Sequence, residues 1–401
     1  MKILILNAGS SSLKYQLMDM DGEKILAKGI VDRIGIDGSA IKQTVGEQVY
    51  KLATPIPKHT DAIRLMLKAL TDPQKGALKN LDEISAFGHR VLHGGEKFID
   101  SILVTDEVKA AIRECFPLGP LHNPANLMGI EACQEAMPQT PNVAVFDTAF
   151  HHTMPKSAFM YGVPMEYYKR LHIRRYGFHG TSHRYVSKRV REFLGIPREG
   201  SRIITCHLGN GSSLAAVKDG KCIDTSMGLT PLEGVLMGTR SGNLDPAVVQ
   251  YIANSDSMTV NEVLNICNKK SGLIGISGLS SDMRDIEAAA NQGHEGAILA
   301  QDMLVHSIRK YIGAYAAVLG GVDVIVFTAG IGENNAAIRV SIMDGFEYLG
   351  AKVDPERNQT REEAVISADD SKVKICVIPT NEELLIARDT LAIIEGREIT
   401  D

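Results

Sequence analysis

Short apolar runs recur along this chain, and most of them close on glycine or small polar residues. They are Ile3-Leu4-Ile5-Leu6, Ile84-Ser85-Ala86-Phe87, Val143-Ala144-Val145-Phe146, Ile203-Ile204-Thr205-Cys206, Val324-Ile325-Val326-Phe327 and the stretch from Val373 to Ile378. Runs of this length, rich in β-branched residues, predict buried strands. Between them the apolar period lengthens to that of a helix. Val186, Val190, Phe193 and Leu194 form one stripe, which Thr181 or Ser182 can cap and Gly195 and Pro197 stop. A second helix is predicted after Pro379, with Thr380 and Glu383 fitting a capping box and Leu384, Leu385, Leu391 and Ile394 supplying an apolar face. This last helix is expected to return to the first domain. Strands alternating with helices predict an α/β class.

Two segments repeat. Leu6-Asn7-Ala8-Gly9-Ser10-Ser11-Ser12-Leu13-Lys14 and Leu208-Gly209-Asn210-Gly211-Ser212-Ser213-Leu214 each sit between strand-like runs, and after each a tight Asp-Gly hairpin is expected (Asp21-Gly22, Asp219-Gly220). Glycine lets backbone approach a phosphate closely, and serine hydroxyls and amides supply donors. Neither copy is a Walker A loop, which needs G-x-x-x-x-G-K-[ST] and a following helix. A weaker echo joins Leu81–Gly88 to Val322–Gly330. The pairs together predict a duplicated domain holding a phosphate-bearing ligand. The boundary is expected near residue 150. Ordinary hairpins rich in turn residues are the plain alternative for either copy alone.

Length and charge narrow the class. The chain has 401 residues, enough for two full cores. Its formal charge of −5, with both signs interspersed, argues against nucleic acid and against a polybasic membrane surface. The six cysteines are scattered with no C-x-x-C pair, which fits a reducing cytoplasm. The longest apolar stretch, Tyr311 to Gly330, is interrupted by Gly320, Gly321 and Asp323 and is expected to be a helix end followed by a strand rather than a membrane span.

Several residues can carry chemistry. Arg90 and Arg240 lie among glycines and small residues, a setting that suits a guanidinium clamping carboxylate or phosphate; a surface ion pair is the alternative. Asp147 ends a strand and can bind a metal, orient an arginine, move a proton or merely cap a loop. His179 and His183 have the i,i+4 spacing of some zinc sites, but the H-E-x-x-H glutamate is missing; a hydrogen bond from His179 to a ligand oxygen is the better reading, with a buried structural histidine as the plain alternative. Gly330-Ile331-Gly332-Glu333-Asn334 follows a strand without the third glycine of a dinucleotide fingerprint; as a glycine-rich turn it can take the flat face of an adenosine. Asp282-Met283-Arg284 can bracket the same nucleoside, and by itself reads as a helix cap.

Asn7–Lys14, Gly88–Glu96, Asp147–His152, Gly177–His183, His207–Ser213, Gly238–Gly242, Gly330–Asn334 and Thr380–Glu383, in this order, resemble the acetate kinase (acetokinase) family of the actin, sugar kinase and heat-shock ATPase superfamily. The resemblance spans nearly the whole chain. It implies duplicated ribonuclease-H-like (actin-like ATPase) domains, 1–149 plus 384–401 and 150–383, with an active-site cleft between them. It implies reversible phosphoryl transfer from ATP to acetate, Mg²⁺ (or Mn²⁺) as cofactor, and a cytoplasmic homodimer whose partners are small molecules. By that resemblance Asn7 and Glu382 sit near the metal. Lys14, His207, Leu208, Gly209, Asn210, Gly211, Asp282, Met283, Arg284, Gly330, Ile331, Gly332, Glu333 and Asn334 serve ATP. Arg90 binds the carboxylate in an apolar pocket of Leu92, Leu121, Phe178 and Pro231. Asp147, His179 and Arg240 are catalytic. Position 92 is valine in some relatives, which leaves pocket size, and hence acetate against propionate or butyrate, open.

The residues qualify two of these roles. Acetate is already ionised near neutral pH and needs no general base, so Asp147 is expected to orient an arginine or a metal-bound water. The capping box is expected to occupy Glu383 and leave Glu382 for the metal. Two other classes compete: a nucleotide switch, which would not need the acceptor clamp of Arg90, His179 and Arg240, and a sugar kinase, whose polyol suits the apolar pocket poorly.

Overall fold

A computed structural model describes residues 1–120 and 122–399. The chain divides into two compact units, Met1–Phe150 with Asn381–Asp401, and His151–Thr380.

In the first unit an eight-stranded sheet runs in the order β5-β4-β3-β2-β1-β6-β8-β7, formed by β1 (Lys2–Ala8), β2 (Ser12–Asp19), β3 (Lys24–Asp32), β4 (Ala40–Val45), β5 (Gln48–Ala53), β6 (Ile84–Val91), β7 (Ile102–Leu103) and β8 (Asn142–Phe146). β1 to β5 form an antiparallel meander; β1, β6 and β8 run parallel. Strands covered on both faces must be apolar throughout, which explains the continuous runs in β1, β6 and β8. One face packs Leu4, Leu6, Leu13 and Leu17 against Ile63, Met66 and Leu70 of the helix His59–Leu70 and Cys133 of the helix Asn123–Ala136. The other face carries the last helix, Glu382–Ile394, on β1 and β6. Gly88 permits that contact, since a Cβ there would lie 2.6 Å from Thr390 Oγ1 and 2.8 Å from Ile386 Cγ2.

The second unit repeats the plan. Its six-stranded sheet runs β11-β10-β9-β12-β14-β13, formed by β9 (Arg202–Leu208), β10 (Ser212–Lys218), β11 (Lys221–Thr225), β12 (Val324–Thr328), β13 (Ala364–Val365) and β14 (Lys374–Val377). β9–β10–β11 repeats the antiparallel β1–β2–β3, and parallel β9, β12 and β14 repeat β1, β6 and β8, each set flanked by a two-residue antiparallel edge strand. The long helix Glu295–Leu319 buries Leu304, Ile308 and Ile312 against Ile204, Leu214 and Phe327.

Three local expectations are corrected. The helix Gly180–Leu194 starts two or three residues early, with His179 in the left-handed region (φ 56°) at its N-cap and neither Thr181 nor Ser182 capping it. Its end at Gly195 (φ 64°) is as expected. The last helix is capped by Asn381, whose side chain accepts from Leu384 N, so Thr380 and Glu383 form no capping box. Thr380 is drawn away because its amide donates to Glu333 Oε1 at 3.1 Å and its hydroxyl bonds Ser182. Finally, Asp219-Gly220 forms a two-residue hairpin with both residues at positive φ, whereas the β2–β3 turn is two residues longer and places Gly22 and Glu23 there instead.

Candidate active site

Strand direction gathers the polar residues of the first unit. The parallel strands β1, β6 and β8 end together, which brings Asn7, Arg90 and Asp147 to one edge of the sheet. This is where open α/β sheets bind ligands. Arg90 donates from Nε to Asp147 Oδ1 at 3.0 Å and from Nη2 to Oδ2 at 2.6 Å, a bidentate pair. Asp147 is fully buried and Arg90 keeps 24 % of its side chain exposed, so the guanidinium is held from behind and open in front. The nearby carboxylates, Asp147 first, raise the Arg90 pKa further and keep it charged.

Glu382 opens the last helix near this pair. Its Oε1 is shut off from solvent and has no hydrogen-bond partner among the described residues. Burial, reinforced by Asp147 and Glu383 and opposed by Arg90 and Lys14, pushes its carboxyl up to about 7. A buried carboxylate oxygen without a donor is the kind of group a divalent cation satisfies. Asn7 stands opposite Lys14 in the β1–β2 register, and both line an open cavity of about 330 Å³ with Gln16, Lys28, Lys42 and Glu383. Among the described residues no group of three or more His, Cys, Asp or Glu is placed to hold a metal. An ion at Glu382 and Asn7 would therefore draw the rest of its shell from water and ligand oxygens, as Mg²⁺ commonly does. Leu92 is buried, with its amide donating to Asn126 Oδ1 at 3.0 Å. Leu121 lies outside the described residues.

The second unit assembles four loops. The turn after β9 closes with Gly209 N donating to Gly211 O at 3.2 Å, a counterpart of Gly9 N to Ser12 O at 2.7 Å. A Cβ on Gly238 would lie 1.8 Å from Asn210 Oδ1 and 3.0 Å from Ser281 O, so only glycine lets these three segments meet. A Cβ on Gly209 would lie 3.8 Å from Ala329 Cβ, and one on Gly332 3.7 Å from Leu208 Cβ. Residues 208–211, 238–240, 281–284 and 329–334 thus adjoin. Two expectations change here. Residues 329–334 are a short helix rather than a glycine-rich turn. The Glu333 carboxylate turns inward to accept from Ala329 N at 2.7 Å and Thr380 N. Asp282 caps the helix Met283–Asn291 and chelates Arg284, which holds its carboxyl down at about 2. Met283 and Leu208 are core side chains, so any ligand contact there falls to the backbone.

Around the Gly209–Ser212 turn stand His179, His207 and Arg240. The two rings stack with centroids 4.1 Å apart. His207 Nδ1 lies 2.8 Å from Ser182 Oγ and His179 Nδ1 lies 2.9 Å from Ser213 Oγ. Arg240 donates only to Pro231 O at 3.3 Å and to Met237 Sδ; no carboxylate among the described residues neutralises it, and burial lowers its pKa. A Cβ on Gly211 would lie 3.3 Å from Arg240 Nη1 and 3.5 Å from His179 Nε2, so this glycine keeps the ground between them clear. Phe178 is buried and accepts at its carbonyl from His151 Nε2 at 2.9 Å.

Two supporting groups escaped the sequence reading. Ser213, His183 and Thr205 line up behind His179. The fully buried Arg339 donates to the carbonyls of Gly332 and Glu333 at 2.8 and 2.9 Å and pins the short helix. Nothing in the pattern around Arg339 marks it, because these partners, like those at Asn358 and Thr360, are mostly backbone carbonyls, which any residue type supplies.

Residues 2–388 match the model of the acetokinase family. The chain is 57 % identical over 397 residues to the acetate kinase of Desulfitobacterium hafniense, covering 98 % of this chain and all of that one. It is similar to the crystal structure of Porphyromonas gingivalis acetate kinase, at TM-score 0.95, 47 % identity and coverage of 98 % and 99 %. A propionate kinase from Francisella tularensis follows the same fold, at TM-score 0.92, 41 % identity and coverage of 97 % and 99 %. With the duplicated sheet, the bidentate Arg90–Asp147 pair and the four adjoining loops all present, the chain belongs to the acetokinase family.

Proposed function

We propose that this protein transfers the γ-phosphoryl group of ATP reversibly to acetate, giving ADP and acetyl phosphate. The full-length match to acetate kinases carries the reading, and the geometry supplies the roles. An acetate oxygen forms a bond to the γ-phosphorus as the bond to the β–γ bridging oxygen breaks, and that electron pair leaves on ADP. Such a transfer needs positioning and charge neutralisation rather than covalent help. In the first unit Arg90, aimed by Asp147, takes the acetate carboxylate, and Leu92 faces its methyl. In the second unit Arg240 and His179 take the equatorial oxygens of the phosphoryl group, and the loops at 207–211, 282–284 and 330–334 take the nucleotide. Glu382 and Asn7 would hold Mg²⁺, which when bound neutralises charge on the β- and γ-phosphates. The orphan oxygen of Glu382 supports this placement. With both oxygens on Arg90, Asp147 serves as an orienting group.

The two compact units are taken as the two domains of the family's duplicated plan. A homodimer is supported by the helix Pro246–Ser255, which has no buried residue and exposes Tyr251 (76 %) and Val248 (43 %) beside Val260 and Leu264 of the next helix. Sedimentation of the purified chain tests it; a monomer at micromolar concentration refutes it. A reducing cytoplasm is supported by six free, buried cysteines. No helix among the described residues is long and apolar enough to cross a membrane.

The test of activity is acyl phosphate trapped with hydroxylamine from MgATP and acetate, propionate or butyrate. Acetate is expected to show the highest kcat/KM. Propionate ranking first would favour the second reading, to which the Francisella enzyme points.

A further inference from the structure

Behind His179 lies a line of three polar side chains from three elements. Thr205 Oγ1 on β9 is 2.7 Å from His183 Nδ1, His183 Nε2 is 2.7 Å from Ser213 Oγ on β10, and Ser213 Oγ is 2.9 Å from His179 Nδ1. Thr205, His183 and Ser213 are fully buried. Each link can in principle run either way, because hydroxyls and neutral imidazoles both donate and accept. The first link decides the rest. The single proton of Thr205 has two acceptors, His183 Nδ1 at 2.7 Å and Ala215 O at 3.5 Å, and the longer contact is at the limit of a hydrogen bond. The proton goes to His183 Nδ1. Burial, with His151 and His207 as like-charge neighbours, holds the His183 pKa well below the usual imidazole value. His183 is therefore neutral and carries its own proton on Nε2, which it donates to Ser213. Ser213 in turn donates to His179 Nδ1.

We propose that Thr205, His183 and Ser213 form a polarised hydrogen-bond chain that positions His179 as the neutral tautomer with its proton on Nε2. That nitrogen, with Cε1, borders the space over Gly211 that Arg240 Nη1 also borders. His179 then enters the reaction with a donor already aimed and no charge to acquire. Protonating Nδ1 would either reverse all three links, which leaves the Thr205 proton on the 3.5 Å contact, or leave the buried Ser213 proton without an acceptor among the described residues. Within the second unit the groups facing His179 reinforce this: the stacked His207 ring on β9, the Arg240 guanidinium, and His183 on the same helix, itself edge-on to His151 at 5.7 Å. A further positive charge at His179 would be repelled. The inference deepens the reading of His179 as a phosphoryl contact and rests on it for its consequence in catalysis, but the tautomer itself does not depend on that reading.

The experiment is ¹⁵N-histidine NMR on the full chain, with His179 assigned by its loss in His179→Gln, alongside kcat against pH. The expected wild-type result is a neutral His179, protonated on Nε2 from pH 6 to 8. Ser213→Ala should mix the two tautomers, restore titration near the ordinary imidazole pKa of about 6.5, add a matching limb to the kcat profile, and lower kcat by about tenfold, the worth of one hydrogen bond. Thr205→Val should give a smaller shift of the same kind, and Thr205→Ser should restore the wild-type tautomer. A wild-type His179 that is cationic or protonated on Nδ1 at pH 7 overturns the proposal. So does Ser213→Ala with an unchanged tautomer. Should the tautomer be as expected while no acyl phosphate forms from any acid, the chain stands and the kinase reading falls.

Discussion

The first unit surrounds its Gly-Ser hairpin with a compact ionic group: Arg90 and Asp147 locked together, with Glu382 close enough to feel both. The second unit sets the same hairpin among imidazoles, hydroxyls and an arginine with no carboxylate on it among the described residues. One backbone plan has been furnished in two ways. A guanidinium already holding a carboxylate has its position fixed by protein. One without such a partner keeps its full charge for whatever anion arrives. The proposed roles follow this contrast, with Arg90 positioning the acceptor and Arg240 meeting transition-state charge.

The sharpest way to break this comparison is to remove each arginine's function separately. Arg240→Ala is expected to lower kcat about a thousandfold, within the range of arginines that serve phosphoryl transfer. Its thermal midpoint should barely move, because the residue gives up one bond to Pro231 O and a sulfur contact. A modest kcat loss with a large KM change would place Arg240 in ground-state binding instead. Asp147→Asn keeps the volume but ends the bidentate pair. A loss of about a hundredfold in kcat/KM for acetate is expected from a misplaced clamp, with no new basic limb. Activity recovered simply by raising the pH would make Asp147 a proton carrier and undo the distinction.

A third measurement probes Glu382. Its folded pKa of about 7 stands above the ordinary 4.5, so the folded state binds the proton more tightly than the unfolded chain. The stability from this group is present in full below the unfolded pKa and is lost as pH rises through about 7. Metal-free protein should therefore melt lower at pH 8 than at pH 5.5. Glu382→Gln should narrow that gap, and Mg²⁺ should raise the midpoint of wild type at pH 8 but not of the variant. An equal Mg²⁺ response from both would remove Glu382 from the metal. The smallest effect concerns the cap. Asn381→Ala should cost about 1 kcal/mol in denaturant unfolding, while Glu383→Ala, exposed at the rim of the Lys14 cavity, should cost far less. The reverse order would return the cap to Glu383.

Much of the architecture was written in local pattern. The six apolar runs are all strands, and the repeated hairpins and the Leu81/Val322 echo fall at matching places in two sheets of one topology. Period and turn chemistry are properties of neighbouring residues, so order along the chain suffices to read them. Order along the chain also marked Arg90 and Asp147 as candidates, but left four roles open for Asp147. Only the folded chain brings Arg90 onto both of its oxygens across 57 residues. The cap of the last helix was misread for the same reason. Thr380 looks like a capping residue until Glu333 and Ser182, both distant in sequence, claim it and leave Asn381 to accept from Leu384. Spacing paired His183 with His179 but gave no sign of the hydrogen-bond chain through Ser213 and Thr205, and nothing local marked the buried Arg339. Hydrogen-bond polarity, burial and the absence of a partner depend on what the fold places within about 3 Å, and no spacing rule along the chain encodes that.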